Sequence, residues 1–152
     1  SGRGFPISDL GSGAWLGLRA IQQSLLCHDG ILPPSLLAVR LLDHFKRDQA
    51  EVVRWAARAI PADYGRFAPW VFDAASDGDE LANQLLDETC AQLQTLLEGM
   101  GLLGADRIAL LGGVGMRLAP RLGHLNLVPP QADALEGAIL FAQSEAYPCL
   151  HP

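Results

Sequence analysis

Apolar residues recur at helical spacing along most of this 152-residue chain, and the stretches that break the period leave room for two or three strands at most. Trp15, Leu16, Leu18, Ile21, Leu25 and Leu26 predict a first helix from Ala14 that ends near Asp29-Gly30. Pro33-Pro34 turns the chain, and Ser35 caps a second helix carrying Leu36, Val39, Leu41, Leu42 and Phe45. Residues 48 to 60 read as a third helix with Val52, Val53, Trp55, Ala56 and Ile60 on its apolar side, and Pro61-Ala62-Asp63-Tyr64-Gly65 breaks it. A fourth is expected over 64 to 75, with Phe67, Val71 and Phe72. Asp77-Gly78-Asp79 turns into and caps a long helix over 79 to 100, whose face runs through Leu81, Leu85, Leu86, Cys90, Leu93 and Leu97 and which Gly99 and Gly101 close.

The period then changes. Arg107-Ile108-Ala109-Leu110-Leu111 suits a short buried strand that stops at Gly112-Gly113, followed by a helix over 115 to 122. Leu125 to Val128 is a weaker strand before Pro129-Pro130, and Asp133 caps a last helix with Leu135, Ile139, Leu140 and Phe141. Residues 4 to 13, rich in Gly and Ser, form a short strand or loop, and the tail from 148 to 152 is expected to be loose. A parallel sheet needs more strands than these, so the expected class is a helix-rich α/β domain with part of its sheet supplied from outside this chain.

Composition narrows the functional classes. Hydrophobic residues make up 49% and charged residues 18%, which favours a packed core over disorder. A net charge of -6 with scattered basic residues argues against a nucleic-acid surface. Cys27, Cys90 and Cys149 form no CxxC pair, and His28, His44, His124 and His151 show no metal-ligand spacing, so no metal site is expected. No apolar run approaches the roughly 18 residues needed to cross a bilayer, and the amino terminus does not read as a signal peptide. A cytoplasmic protein without membrane partners is the expectation. The opening Ser1-Gly2-Arg3-Gly4-Phe5-Pro6 has no methionine and reads as the interior of a longer protein.

Two places carry candidate chemistry. Gly112, Gly113 and Gly115 lie between a strand and a helix, where bare backbone lets a ligand such as a nucleotide approach closely. The same residues also suit a purely structural strand-to-helix turn, and neither a P-loop nor a Rossmann fingerprint is complete here. In Phe5-Pro6-Ile7-Ser8-Asp9-Leu10-Gly11-Ser12-Gly13, the Asp9 carboxylate is placed to accept hydrogen bonds from sugar hydroxyls. Asp9 also suits an Asx turn, and Ser12 a helix cap. Asp77-Gly78-Asp79 lacks the later acidic positions of a calcium loop.

The run Gly4-Phe5-Pro6-Ile7-Ser8-Asp9-Leu10-Gly11-Ser12-Gly13-Ala14-Trp15-Leu16-Gly17 resembles the GWGFPLGDEGSGAWLG segment of bacterial glucosamine and N-acetylglucosamine kinases. Phe67-Ala68-Pro69-Trp70-Val71-Phe72-Asp73-Ala74-Ala75 is similar to their APLVFEAA helix, and Leu110-Leu111-Gly112-Gly113-Val114 to their LLGG adenosine motif. Pro129-Pro130 with Asp133-Ala134-Leu135-Glu136-Gly137-Ala138 resembles their closing PP…DALEGAL helix. These kinases sit with the BadF/BadG/BcrA/BcrD-type ATPases in the actin, sugar kinase and Hsp70 superfamily. The matches follow family order over nearly the whole chain.

The resemblance implies a ribonuclease H-like, actin-like ATPase fold, of which residues 1–147 would be the carboxy-terminal lobe. It implies ATP and Mg as cofactors, an amino sugar as substrate, and a homodimer as one possible assembly. By that analogy Gly4, Asp9 and Ser12 contact the sugar, while Gly112, Gly113 and Gly115 line the adenosine pocket. No catalytic residue is assigned, because the family's phosphate loops and catalytic aspartate belong to an amino-terminal lobe. Phosphoryl transfer depends on positioning and charge stabilisation around the nucleotide, so this chain alone is expected to be inactive. Arg3 stands where the family usually has Trp and Leu10 where it usually has Glu, which leaves the sugar open. A free-standing binding domain and a sugar-responsive regulator that reuse the lobe are the competing expectations.

Overall fold

The computed structural model describes residues 3–102, 104 and 107–143. The chain divides into two compact units, Ser1–Ala105 and Asp106–Pro152. The first holds six helices among its described residues: α1 (Gly13–His28), α2 (Leu36–His44), α3 (Gln49–Ala56), α4 (Pro61–Gly65), α5 (Ala68–Ser76) and α6 (Glu80–Leu102). Helix α1 is the hub, packing against α2, α4, α5 and α6. Its Leu16 and Ala20 are fully buried, alongside Leu41 of α2, Val71 of α5 and Leu85 and Leu86 of α6. Arg19 of α1 and Glu88 of α6 add a half-buried ion pair at 3.1 Å.

Helices α1 and α4 approach so closely at one point that only glycine fits. A β-carbon at Gly17 would lie 1.9 Å from the carbonyl oxygen of Tyr64, far inside any tolerable contact. From there an aromatic cluster extends outward: Tyr64 meets Trp55 at 4.8 Å, Trp55 meets Phe45 at 5.2 Å, and Phe67 packs on both Trp55 and Trp70. Offset and edge-on ring pairs of this kind add to the area they bury.

A single carboxylate ties the amino termini of two helices together. Asp79 is buried, and its side chain accepts from the Ser35 hydroxyl at 2.9 Å and from the Leu36 N–H at 2.7 Å. The same carboxylate accepts from the Ala82 N–H at 2.8 Å, at the start of α6. Backbone donors at helix amino termini have no partner within the helix, so one buried anion satisfies both α2 and α6. Ser35 in turn caps α2 by accepting from the Ala38 N–H.

Several expected elements take a different form. Pro61-Ala62-Asp63-Tyr64-Gly65, expected as a break, is helix α4. Proline suits the first helical position because its absent N–H would have no partner there, and Asp63 accepts from the Ile60 N–H at 3.0 Å. The helix expected over 64 to 75 is therefore two, α4 and α5, and the third helix stops at Ala56, four residues short of the expected Ile60. Gly99 and Gly101, expected to close α6, lie within it.

In the second unit the described elements are α7 (Gly112–Leu118), a 3-10 turn (Ala119–Leu122) and α8 (Ala134–Gln143). The expected strands at 107–111 and 125–128 shrink to one parallel bridge, Ile108 to Leu127, with the Val128 N–H donating to the Ile108 carbonyl at 2.8 Å. A two-segment ladder cannot cover both faces of a strand, and Leu111 stays half exposed. Helix α7 starts at Gly112 rather than at 115, and Pro120, lacking an N–H, coincides with the tightening to the 3-10 turn. Asp133 caps α8 as expected, accepting from the Glu136 N–H at 2.8 Å while Glu136 accepts from the Asp133 N–H. The expected loose tail over 148 to 152, with Cys149 and His151, lies outside the described residues.

Replacing Asp79 with Ala removes both caps at once and should lower stability by about 2–4 kcal/mol. The exposed neighbour change Asp77→Ala should stay within about 0.5 kcal/mol. Urea unfolding of the two variants checks this, with equal losses contradicting the shared-cap assignment.

Candidate functional site

Gly4, Asp9 and Ser12 are brought together on the loop that leads into α1. Gly4 has φ 95° and its carbonyl accepts from the Ser8 N–H at 2.8 Å, while the Arg3 N–H donates to the Ser8 hydroxyl at 3.2 Å. Asp9 has φ 62°, a left-handed conformation that Asp tolerates better than most residues, and its carbonyl accepts from the Ser12 N–H at 3.0 Å. Its carboxylate enters no hydrogen bond or ion pair among the described residues. A partly exposed carboxylate with its lone pairs free is chemically an acceptor-only group, suited to hydroxyl or ammonium donors. Asp9 is also the sole acidic residue between Gly4 and Gly13, since Leu10 brings no charge.

Ser12 has a structural duty. Its hydroxyl oxygen accepts from the Trp15 N–H at 3.1 Å as the cap of α1, which leaves its O–H free to donate elsewhere. The loop is seated at both ends. Phe5 lies against Tyr64 with ring centroids 5.0 Å apart, and the Phe5-Pro6 peptide is cis. At the other end Gly11 is buried with φ 79° against Leu93 of α6.

Gly112, Gly113 and Gly115 belong to the second unit, at the start of α7. Gly112 and Gly113 are exposed, and a β-carbon on either would meet no atom within 4 Å. Gly115 differs: a β-carbon there would sit 3.3 Å from the Leu110 side chain, so its small size serves packing within the unit. The backbone at Gly112 and Gly113 is open to its surroundings.

Sequence reasoning missed three supporting residues: Phe5, Tyr64 and Leu93. Phe5 and Leu93 stand out in the sequence only as a loop residue and a helix-face residue, and Gly11 and Gly17, being small, imply a close neighbour without naming it. The cavities elsewhere include two of note. One of about 80 Å³ is lined by Cys27, Pro34, Ser35, Asp79 and Gln84, and burial followed by the Asp79 charge pushes the Cys27 thiol pKa up. The other, about 380 Å³, is lined by His44, Phe45, Lys46, Asp48, Glu51 and Trp55. Neither includes a residue of the Asp9 loop. Among the described residues no group of three or more His, Cys, Asp or Glu could hold a metal, and no helix is long and apolar enough to cross a membrane.

Comparison with known proteins gives concordant results. Residues 1–142 match the profile of the BadF/BadG/BcrA/BcrD ATPase family. The glucosamine kinase GspK of Vibrio cholerae is 45% identical over 144 residues, covering 93% of this chain and 49% of that protein. A crystal structure from Chromobacterium violaceum, provisionally described as an N-acetylglucosamine kinase, matches with a TM-score of 0.81 at 35% identity. That match covers 93% of this chain and 50% of the other. The helix-rich fold is thus that of an actin-like ATPase, and the chain spans about half the length of the relatives it matches.

The Gly17 contact that fixes α4 beneath the loop gives a direct test. Gly17→Ala should cost about 1–3 kcal/mol, since overpacking against backbone outweighs the helix propensity gained. Gly99→Ala, helical with open space around it, should gain about 0.5–1 kcal/mol from propensity alone. Thermal unfolding distinguishes them, and a neutral Gly17→Ala would contradict the close approach.

Proposed function

Since the chain belongs to the BadF/BadG/BcrA/BcrD ATPase family, we propose that it is the carboxy-terminal lobe of an ATP-dependent amino-sugar kinase, taking in residues 1–147. In the complete protein a sugar hydroxyl oxygen would attack the γ-phosphorus of ATP, with ADP leaving and the hydroxyl proton passing to a base on the amino-terminal lobe. We assign the reaction to the cytoplasm, where ATP is available. The observation that carries the reading is the uncommitted Asp9 carboxylate on a loop held at both ends, in a chain 45% identical to a glucosamine kinase.

Asp9 accepts hydrogen bonds from sugar hydroxyls, and the anion makes these stronger than neutral contacts. Gly4 gives close backbone approach at the edge of the same loop. Ser12 keeps its donor free while its oxygen caps α1. Gly112 and Gly113 offer open backbone for adenosine, so the residues present fit a nucleotide base. Gly115 supports that surface from behind through its packing on Leu110. Magnesium would neutralise charge on the phosphates, but the described residues supply no carboxylate cluster for it, and its ligands are assigned to the other lobe. With Leu10 apolar, Asp9 is the one charged group this loop offers for specificity among amino sugars.

The test is expression of the complete reading frame that contains this chain. It should phosphorylate glucosamine or N-acetylglucosamine with ATP, and Asp9→Ala should raise the sugar KM by about 10–100-fold, the worth of hydrogen bonds to one charged group. The ATP KM should be little changed. Sugar binding without turnover would favour a non-catalytic, sugar-responsive protein, and a wild-type protein that neither binds nor phosphorylates amino sugars would overturn the proposal.

A further inference from the structure

We infer that Leu93 of α6 is a positioning residue for the Asp9 loop, acting through Gly11; the inference rests on the reading of Asp9 as a sugar ligand. The loop does not hold itself in place by burying its own apolar groups. Ile7 is 87% exposed and Leu10 37% exposed. Its internal hydrogen bonds, Ser8 N–H to Gly4 and Ser12 N–H to Asp9, fix local turns, and Ser12 joins the second of these to the start of α1.

What anchors the carboxylate end is steric. Gly11 is buried, two residues after Asp9, and its backbone rests on the Leu93 side chain. A β-carbon at Gly11 would lie 2.8 Å from both Cγ and Cδ2 of Leu93. With φ 79°, Gly11 occupies a left-handed conformation that a residue bearing a β-carbon enters only with strain. The opposite end is anchored by Phe5 on Tyr64, and Tyr64 is itself fixed by the Gly17 contact. Between two such anchors, Phe5 and Gly11, six positions apart in sequence, the position of Asp9 follows from where α6 places Leu93. Leu93 never needs to touch a sugar to set its affinity, because small displacements of a ligand group lose much of a hydrogen bond.

Leu93→Ala in the complete protein should raise the sugar KM on the order of tenfold while the ATP KM stays within about twofold, and Leu93→Met should restore the wild-type value. Gly11→Ala, which lifts the loop off an intact Leu93, should give the same selective rise and covers the case in which Leu93→Ala folds poorly. Hydrogen exchange supplies a readout independent of activity: the Ser8 and Ser12 amides should exchange faster in Leu93→Ala, while Ala20 and Ile21 inside α1 do not. Unchanged exchange at Ser8 and Ser12, or a uniform fall in all kinetic constants, would overturn the inference. An inactive wild type would instead sink the kinase reading, and the exchange data alone would then decide the role of Leu93.

Discussion

The contact between Gly17 and the Tyr64 carbonyl sets the geometry of the first unit. Helix α1 packs against four other helices, and at this point it meets backbone directly, with no side chain between. Side chains can repack around a shifted neighbour, but two backbones in contact have no such freedom. The approach therefore fixes α4, α4 fixes the Tyr64 ring, and the ring receives Phe5 at the start of the Asp9 loop. Asp79 plays the complementary part at the other side of α2, where one buried carboxylate holds the starts of α2 and α6 together. Since α6 also carries Leu93, the cap shared with α2 bears on the seat of Gly11.

From this frame the loop acquires its chemical character. A loop of Gly, Ser and Pro would ordinarily be free to move. Here its two ends rest on aromatic and aliphatic side chains, its middle faces outward, and its one charged group has no partner among the described residues. A fixed anion awaiting donors is what recognition of a polyhydroxylated ligand requires, because ordering has been completed before the ligand arrives. Gly112 and Gly113 in the second unit present exposed backbone. Helix α8 of that unit keeps Leu135 and Leu140 largely exposed, in keeping with a chain that spans half the length of its relatives.

The helices were largely legible because their signals are local. Ser35 and Asp133 cap where their positions predict, and the long periodic run from Leu81 to Leu97 forms a single helix. The failures have physical causes. Pro61 looks like a breaker, yet proline is favoured at a first helical position, and Gly99 and Gly101 look like stops, yet nothing forbids a helix from continuing through them. Ile108 to Leu111 has strand composition, but a strand is made by its neighbours, and Leu127 alone pairs with it among the described residues. At the site, Asp9 and the glycines were visible as residue types. Their supports were not, since Phe5 with Tyr64 and Gly11 with Leu93 are contacts across many residues that no local pattern encodes.

The most direct measurement of the central claim is a crystal structure of the complete protein with an amino sugar and a non-hydrolysable ATP analogue bound together. The account predicts sugar hydroxyls within hydrogen-bonding distance of the Asp9 carboxylate, adenosine laid against Gly112 and Gly113, and Gly11 still seated on Leu93. A sugar bound away from the loop, with Asp9 facing solvent, would contradict it.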